Sequence, residues 1–331
     1  MSLPALRVVR ERFAQAEIGI VGRSYVLDIY REQGIGDELI PYDSAGEYRG
    51  FVGQEKLIAG LRERRFDVAL LLQNAFDAAW LAWRAKVPER IGYARDGRSL
   101  LLTTAVKVPR EGEIPAHEKF YYLELLRRAG WLERLPDVPW IELKISEEKR
   151  NNAEEFLVAA GARMGRTRIA VGAGASYGSA KCWPPERFAE TLNSLADAND
   201  AEVILFGTIQ EEAVSAAIAA ELKRKPIDLT GKTQIMELAA LLSRCNLFIG
   251  NDSGAMHVAA AVGLPIVAVF GPTDPNGTVP VTPNCSLVQQ KPYCSPCFLR
   301  RCPTDHRCMK AVTPAMVETA AKLRLAVVTS G

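Results

Sequence analysis

Nowhere in these 331 residues does an apolar run approach the roughly 20 residues that a bilayer-spanning helix needs. The start also lacks the basic, apolar and small-residue succession of a secretory signal, so a cytoplasmic protein is expected. Charge of one sign is missing too. The 41 Lys and Arg against 39 Asp and Glu leave +2, which gives no global electrostatic case for a nucleic-acid partner. The dinucleotide fingerprint is not met, because Gly172-x-Gly174 is followed by Gly178, one residue late for G-x-G-x-x-G. An odd count of seven cysteines does not suit a disulfide framework.

What remains is an ordinary soluble composition, 48% apolar and 24% charged, on a chain too long for one compact core. Two domains are expected, residues 1–160 and 161–331. In the first, runs 17–22, 37–42, 66–73, 90–93 and 140–144 read as strands, with helices over 57–64, 77–85, 117–129 and 146–160. In the second, strands at 168–171, 202–206, 227–229, 247–249, 266–270 and 286–289 alternate with helices at 185–198, 210–222, 235–244, 255–262 and 314–327. Strict alternation predicts a parallel sheet covered on both faces, with ligands at the strand C-terminal ends. The chain opens in a helix, residues 3–13, where a doubly wound domain would open with a buried strand. The neighbours of such a strand are expected to show unpaired edges.

The most informative segment is Gly250-Asn251-Asp252-Ser253-Gly254-Ala255-Met256-His257, which reads as a strand end opening into a helix. Asp252 is expected to cap that helix, leaving the amides of Ser253, Gly254 and Ala255 to meet an anion. His257 lies one turn on, close to the same face. Taken singly, these residues also suit an ordinary capped helix with a core histidine; together with their surroundings they point to a phosphate-bearing ligand. Lys181, after a glycine-bearing strand exit, could add a cation. Gly174, Thr273 and Asp274 are candidate loop positions beside the ligand, although Pro-Thr-Asp-Pro is also a good turn.

Four cysteines crowd into Cys294-x2-Cys297-x4-Cys302-x5-Cys308, with His306 inside the last interval. In a reducing compartment such clustering favours metal or redox chemistry. The spacing is irregular for a zinc knuckle, so zinc, a local disulfide and free thiols all stay open. Two basic runs, Arg84 to Arg110 and Lys291 to Lys310, lack the aromatic interleaving of a single-strand nucleic-acid site. An anionic glycolipid or membrane surface suits the first of them, as does plain solvation.

Several pieces together resemble the bacterial lipopolysaccharide heptosyltransferases, most closely the heptosyltransferase II type. They are Leu3-Pro4-Ala5-Leu6-Arg7, Arg90-Ile91-Gly92-Tyr93, the stretch from Gly172 to Pro184, the segment through His257, and Phe270 to Pro275 with the cysteine stretch. The resemblance implies an α/β GT-B fold, two Rossmann-like doubly wound domains facing across a cleft, with the last helix packing back on the first. It implies transfer of L-glycero-D-manno-heptose from an ADP-heptose donor to the lipopolysaccharide inner core, inverting and without a metal or cofactor. The acceptor would be of lipid A-Kdo-heptose type, at the cytoplasmic face of the inner membrane. Lys181, Asp252, Ser253, Gly254 and His257 would meet the donor. The family's glycine–aspartate loop ahead of the Leu-Pro-Ala-Leu helix, which resembles the general base, has no counterpart in this sequence, so no catalytic residue is assigned. A late start codon, a truncated enzyme and a catalytically silent nucleotide-sugar binder are the readings this leaves, beside a GT-B-like enzyme with another donor.

Overall fold

The computed structural model describes residues 1–43 and 45–329; Ser44, Ser330 and Gly331, each inside one of the two expected domains, lie outside the described residues. Two compact units emerge, Met1–Val138 and Pro139–Gly331. The division falls ahead of the helix Glu147–Ala159 rather than behind it. The reason is chemical: Arg168 forks onto Glu154 with both bonds at 2.7 Å, and Arg244 donates to Arg150 O, so that helix is tied to the second unit.

In the first unit the helix Leu3–Arg12 carries Pro at its start, where a missing N–H costs nothing, and buries Ala5 and Val9 against Leu123 and Leu126. Strands β1 (Gly19–Gly22), β2 (Glu38–Pro41), β3 (Val68–Leu71), β4 (Glu89–Tyr93) and β5 (Thr104–Val106) follow, with helices Gly50–Glu63, Phe76–Arg84 and Glu118–Arg128. Every ladder is parallel, but the strands form two sheets, β1–β2 and β3–β4–β5. Strands β1 and β3 are therefore each laddered on one side only among the described residues. Val21 and Val68 on them stay 43% and 39% exposed. The expected strand at 140–144 is not one. Ile141 and Leu143 make single backbone bonds to Val281 and Ala261, and the Trp140 indole donates to Ala260 O, so this segment is extended without a ladder.

The second unit holds one six-stranded parallel sheet in the order β11-β10-β9-β6-β7-β8. Its strands are β6 (Arg168–Gly172), β7 (Glu202–Phe206), β8 (Ile227–Asp228), β9 (Leu247–Asn251), β10 (Ile266–Phe270) and β11 (Cys285–Gln289). All five positions of β6, β9 and β10 are buried, which explains why they are apolar apart from Arg168 and Asn251 and requires cover on both faces. Trp183 is the largest fully buried side chain; its ring meets Phe188 edge-on at 4.9 Å and its indole donates to Val312 O. Strand order reverses between β6 and β9, which are neighbours in space though far apart in sequence. The crevice outside the carboxyl ends of such a pair is where open α/β sheets hold ligands.

Candidate functional site

Three loops meet at this reversal, those leaving β6, β9 and β10. Asn251, wholly buried at the end of β9, joins the first two by donating from its amide nitrogen to Ala173 O at 2.5 Å and accepting from Trp183 N at 3.0 Å. Next to it, Asp252 is 5% exposed. Its Oδ2 accepts from Lys181 Nζ at 2.5 Å and from Thr273 Oγ1 at 2.8 Å, so one carboxylate oxygen joins all three loops. The expected capping role of Asp252 is thus corrected: its carboxylate is used by Lys181 and Thr273, and Ser253 takes the N-cap position without making a side-chain cap bond.

That leaves a site for an anion at the start of the helix Gly254–Ala261. The first-turn amides of a helix have no intrahelical acceptors, and the macrodipole places partial positive charge there. Ser253 Oγ is buried beside them without a hydrogen-bond partner, which is costly unless a ligand meets it. Lys181 keeps N–H donors beyond the one given to Asp252, and its Nζ also lies 4.8 Å from the Tyr177 ring centroid. His257 follows one turn along the same helix, half-buried.

The loop leaving β6 is shaped for close approach. A Cβ on Gly174 would stand 2.0 Å from the Glu211 carboxyl carbon, so a carboxylate sits directly against this loop. Glu211 is held there because its Oε2 accepts from Thr208 N in a capping box. Gly178, at φ +153°, would bring a Cβ to 2.2 Å from Arg300 O.

The structure therefore brings Lys181, Asp252 and Thr273 into direct contact, with Ser253 and Gly254 next to Asp252 in the chain; Gly174 lies against Glu211. Asp274 has a different task, capping the short helix Pro275–Thr278 by accepting from Asn276 N at 3.1 Å. Asn251 and Glu211 were not anticipated. Asn251 lies inside the motif singled out, but its amide contacts span 68 and 78 residues, which local spacing cannot reveal.

Part of the first basic run is tied into the fold, while Lys86, Arg95, Lys107 and Arg110 stay exposed. Arg84 pairs with Glu55, Arg90 gives its guanidinium to the carbonyls of Leu101 and Val87, and Arg98 is fully buried, donating to Tyr93 O and Asn74. Burial pushes the Arg98 pKa down from its ordinary value. Near the second run, Cys294, Cys297, Cys302, Cys308 and His306 line one cavity of about 80 Å³. Among the described residues, no three His, Cys, Asp or Glu side chains are set closely enough to hold a metal as they stand.

Residues 54–307 match the sequence model of glycosyltransferase family 9 (heptosyltransferase). Lipopolysaccharide heptosyltransferase 2 of Escherichia coli K12 is 29% identical over 298 residues, covering 87% of this chain and 84% of that protein. Lipooligosaccharide heptosyltransferase 2 of Haemophilus influenzae is 30% identical over 247 residues, 71% of this chain and 68% of its own length. The structure of E. coli ADP-heptose LPS heptosyltransferase II superposes with a TM-score of 0.82 at 26% identity, covering 99% of this chain and 95% of that one. A family 9 glycosyl transferase from Veillonella parvula shares the fold at a TM-score of 0.84 and 24% identity, over 98% of this chain and 92% of its own.

Proposed function

The chain belongs to glycosyltransferase family 9, the heptosyltransferases of lipopolysaccharide core assembly, and from that premise we propose that its second unit binds ADP-heptose with the diphosphate over the start of the helix Gly254–Ala261. The observation that carries this is the Lys181–Asp252–Thr273 network beside the unpartnered Ser253 hydroxyl, at the strand-order reversal. In this reading the helix amides, Ser253 Oγ and Lys181 Nζ take the charge that builds on the leaving ADP as the bond to the heptose anomeric carbon breaks. Asp252 does not touch the phosphates; it holds Lys181 in place. His257 reaches toward the sugar side of the same site. Glu211 presents a carboxylate at the exit of β7, where such folds bind ribose hydroxyls.

A cationic side chain and helix amides supply the electrostatic stabilisation that a divalent ion would otherwise give, which supports metal-independent transfer. The acceptor is an anionic inner-core glycolipid of lipid A-Kdo-heptose type. No helix among the described residues is long and apolar enough to cross a membrane; the lipid-anchored acceptor of this reading places the enzyme peripherally on the cytoplasmic face of the inner membrane.

Calorimetric titration with ADP-heptose, against UDP- and GDP-sugars as controls, tests the donor assignment. Saturable binding of the adenine donor at least tenfold tighter than the controls is expected. Equal affinity for all three, or no heat from a folded sample, would overturn it.

A further inference from the structure

Between Gln289, where β11 ends, and Arg307, where the short helix Arg307–Lys310 begins, the chain has neither helix nor strand. Irregular stretches of this length inside a compact unit are uncommon and need something to hold them. Apolar packing does not do so here: Tyr293, Phe298 and Leu299 are 87%, 55% and 44% exposed. Tyr293 and Phe298 face outward, while Cys294, Cys297, Cys302 and Cys308 line one common cavity together with His306 and Leu299. Phe298 and His306 also keep positive φ, +55° and +61°, conformations that persist in non-glycine residues only where the surroundings impose them.

The Cys302 sulfur lies 3.5 Å from Thr304 Oγ1. All seven cysteines are free in the structure.

We propose that Cys294, Cys297, Cys302 and Cys308 bind one thiolate-preferring divalent cation of the zinc or ferrous class, and that this ion staples the 290–306 lobe against the loop that carries Lys181. The Cys294-x2-Cys297 pair supplies two ligands from one short stretch, and Cys302 and Cys308, which line the same cavity, supply the other two. A change of rotamer moves a cysteine sulfur by about 3 Å, enough to bring four sulfurs lining one small cavity to the roughly 2.3 Å of a metal–thiolate bond. Each thiol that ligates releases its proton to solvent, so loading acidifies the medium.

The lobe is already fastened to the loop before Lys181. Ala180 N donates to Arg300 O at 3.1 Å, Tyr177 Oη to Phe298 O at 2.6 Å, and His306 Nε2 lies 2.7 Å from Ala180 O. On the other side Cys297 N and Phe298 N both donate to Pro272 O, one residue before Thr273. Metal loading would thus fix the two loops that position Lys181 and Thr273. That last consequence rests on the donor reading given above; the metal site itself does not.

The test is elemental analysis of the full chain, purified anaerobically with a reductant and exchanged into metal-free buffer. About one equivalent of zinc or iron per chain is expected, kept by Cys285→Ser, whose thiol lies on β11 away from the cavity, and lost by Cys302→Ser. Because Cys302→Ser could fail to fold, the wild-type chain is also stripped with a chelator and reloaded with Co²⁺, which should give intense thiolate-to-cobalt charge-transfer absorption. Stripping should raise amide exchange in residues 177–181 and 290–306. A folded wild-type chain with no stoichiometric metal and no cobalt–thiolate band would overturn the proposal, as would a disulfide between any of the four in the reduced preparation. None of these readouts uses a sugar nucleotide, so failure here and failure of donor binding are separate results.

Discussion

Lys181 and Asp252 set the charge balance of the site, and each makes the other tolerable in a buried place. With Asp252 only 5% exposed, Lys181→Ala removes the charged partner of that carboxylate among the described residues and leaves it the Thr273 hydroxyl. The expected loss is about 3 kcal/mol of stability, read as a lower urea midpoint, together with a roughly 10- to 100-fold weaker affinity for ADP. Lys181→Arg should recover part of the affinity. Thr273→Val removes one neutral donor to Asp252 and should cost about 1 kcal/mol, with a much smaller effect on ADP. Should Lys181→Ala leave ADP binding unchanged, the lysine's part in the site would be refuted. At this scale the helix start at Ser253 and Gly254 was legible because helix-start chemistry is local. The partner of Asp252 was not, because the Lys181 contact spans 71 residues and forms only when β6 and β9 lie side by side.

Among the elements, the helix Glu118–Arg128 shows how a buried charge is held. The Glu124 side chain is 1% exposed and is bonded by Arg127 at 2.7 Å and 2.9 Å and by Arg128 at 2.5 Å. The Arg127 hydrogen bond, ahead of that from Arg128, holds the Glu124 carboxyl below its ordinary range. A depressed carboxyl pKa stabilises the fold above the unfolded value, about 4.3. That stability is lost as pH falls through the lowered folded value. Glu124→Gln should therefore cost roughly 2 to 3 kcal/mol of stability at pH 7, read as a lower urea midpoint, and flatten the acid limb below about pH 4. Parallel acid limbs for wild type and variant would contradict the assignment.

Element type was legible wherever periodicity was long, as in the helices of the second unit, and in the largely apolar, fully buried β6, β9 and β10. It failed at 140–144, where alternating apolar residues serve single contacts to Val281, Ala261 and Ala260 instead of a ladder. It also missed β5, three residues long, too short to carry a period.

At the scale of the molecule, everything the donor reading needs lies in the unit Pro139–Gly331: the strand-order reversal, the helix start, Lys181, and the cysteine lobe bonded to the same loops. The alternation of strands and helices made that architecture legible in advance. Unpaired edges in the first unit were expected, and β1 and β3 carry them; which strands pair was not legible, because pairing is a long-range property that no run of residues encodes alone. The crystal structure of the chain with ADP bound is the most direct test of the account. It should show the diphosphate at the start of the helix Gly254–Ala261, within hydrogen-bond distance of Ser253 Oγ and Lys181 Nζ. ADP seated instead at the opposite strand ends, in the cavity of about 230 Å³ lined by Arg163, Arg224 and Lys225, would contradict it.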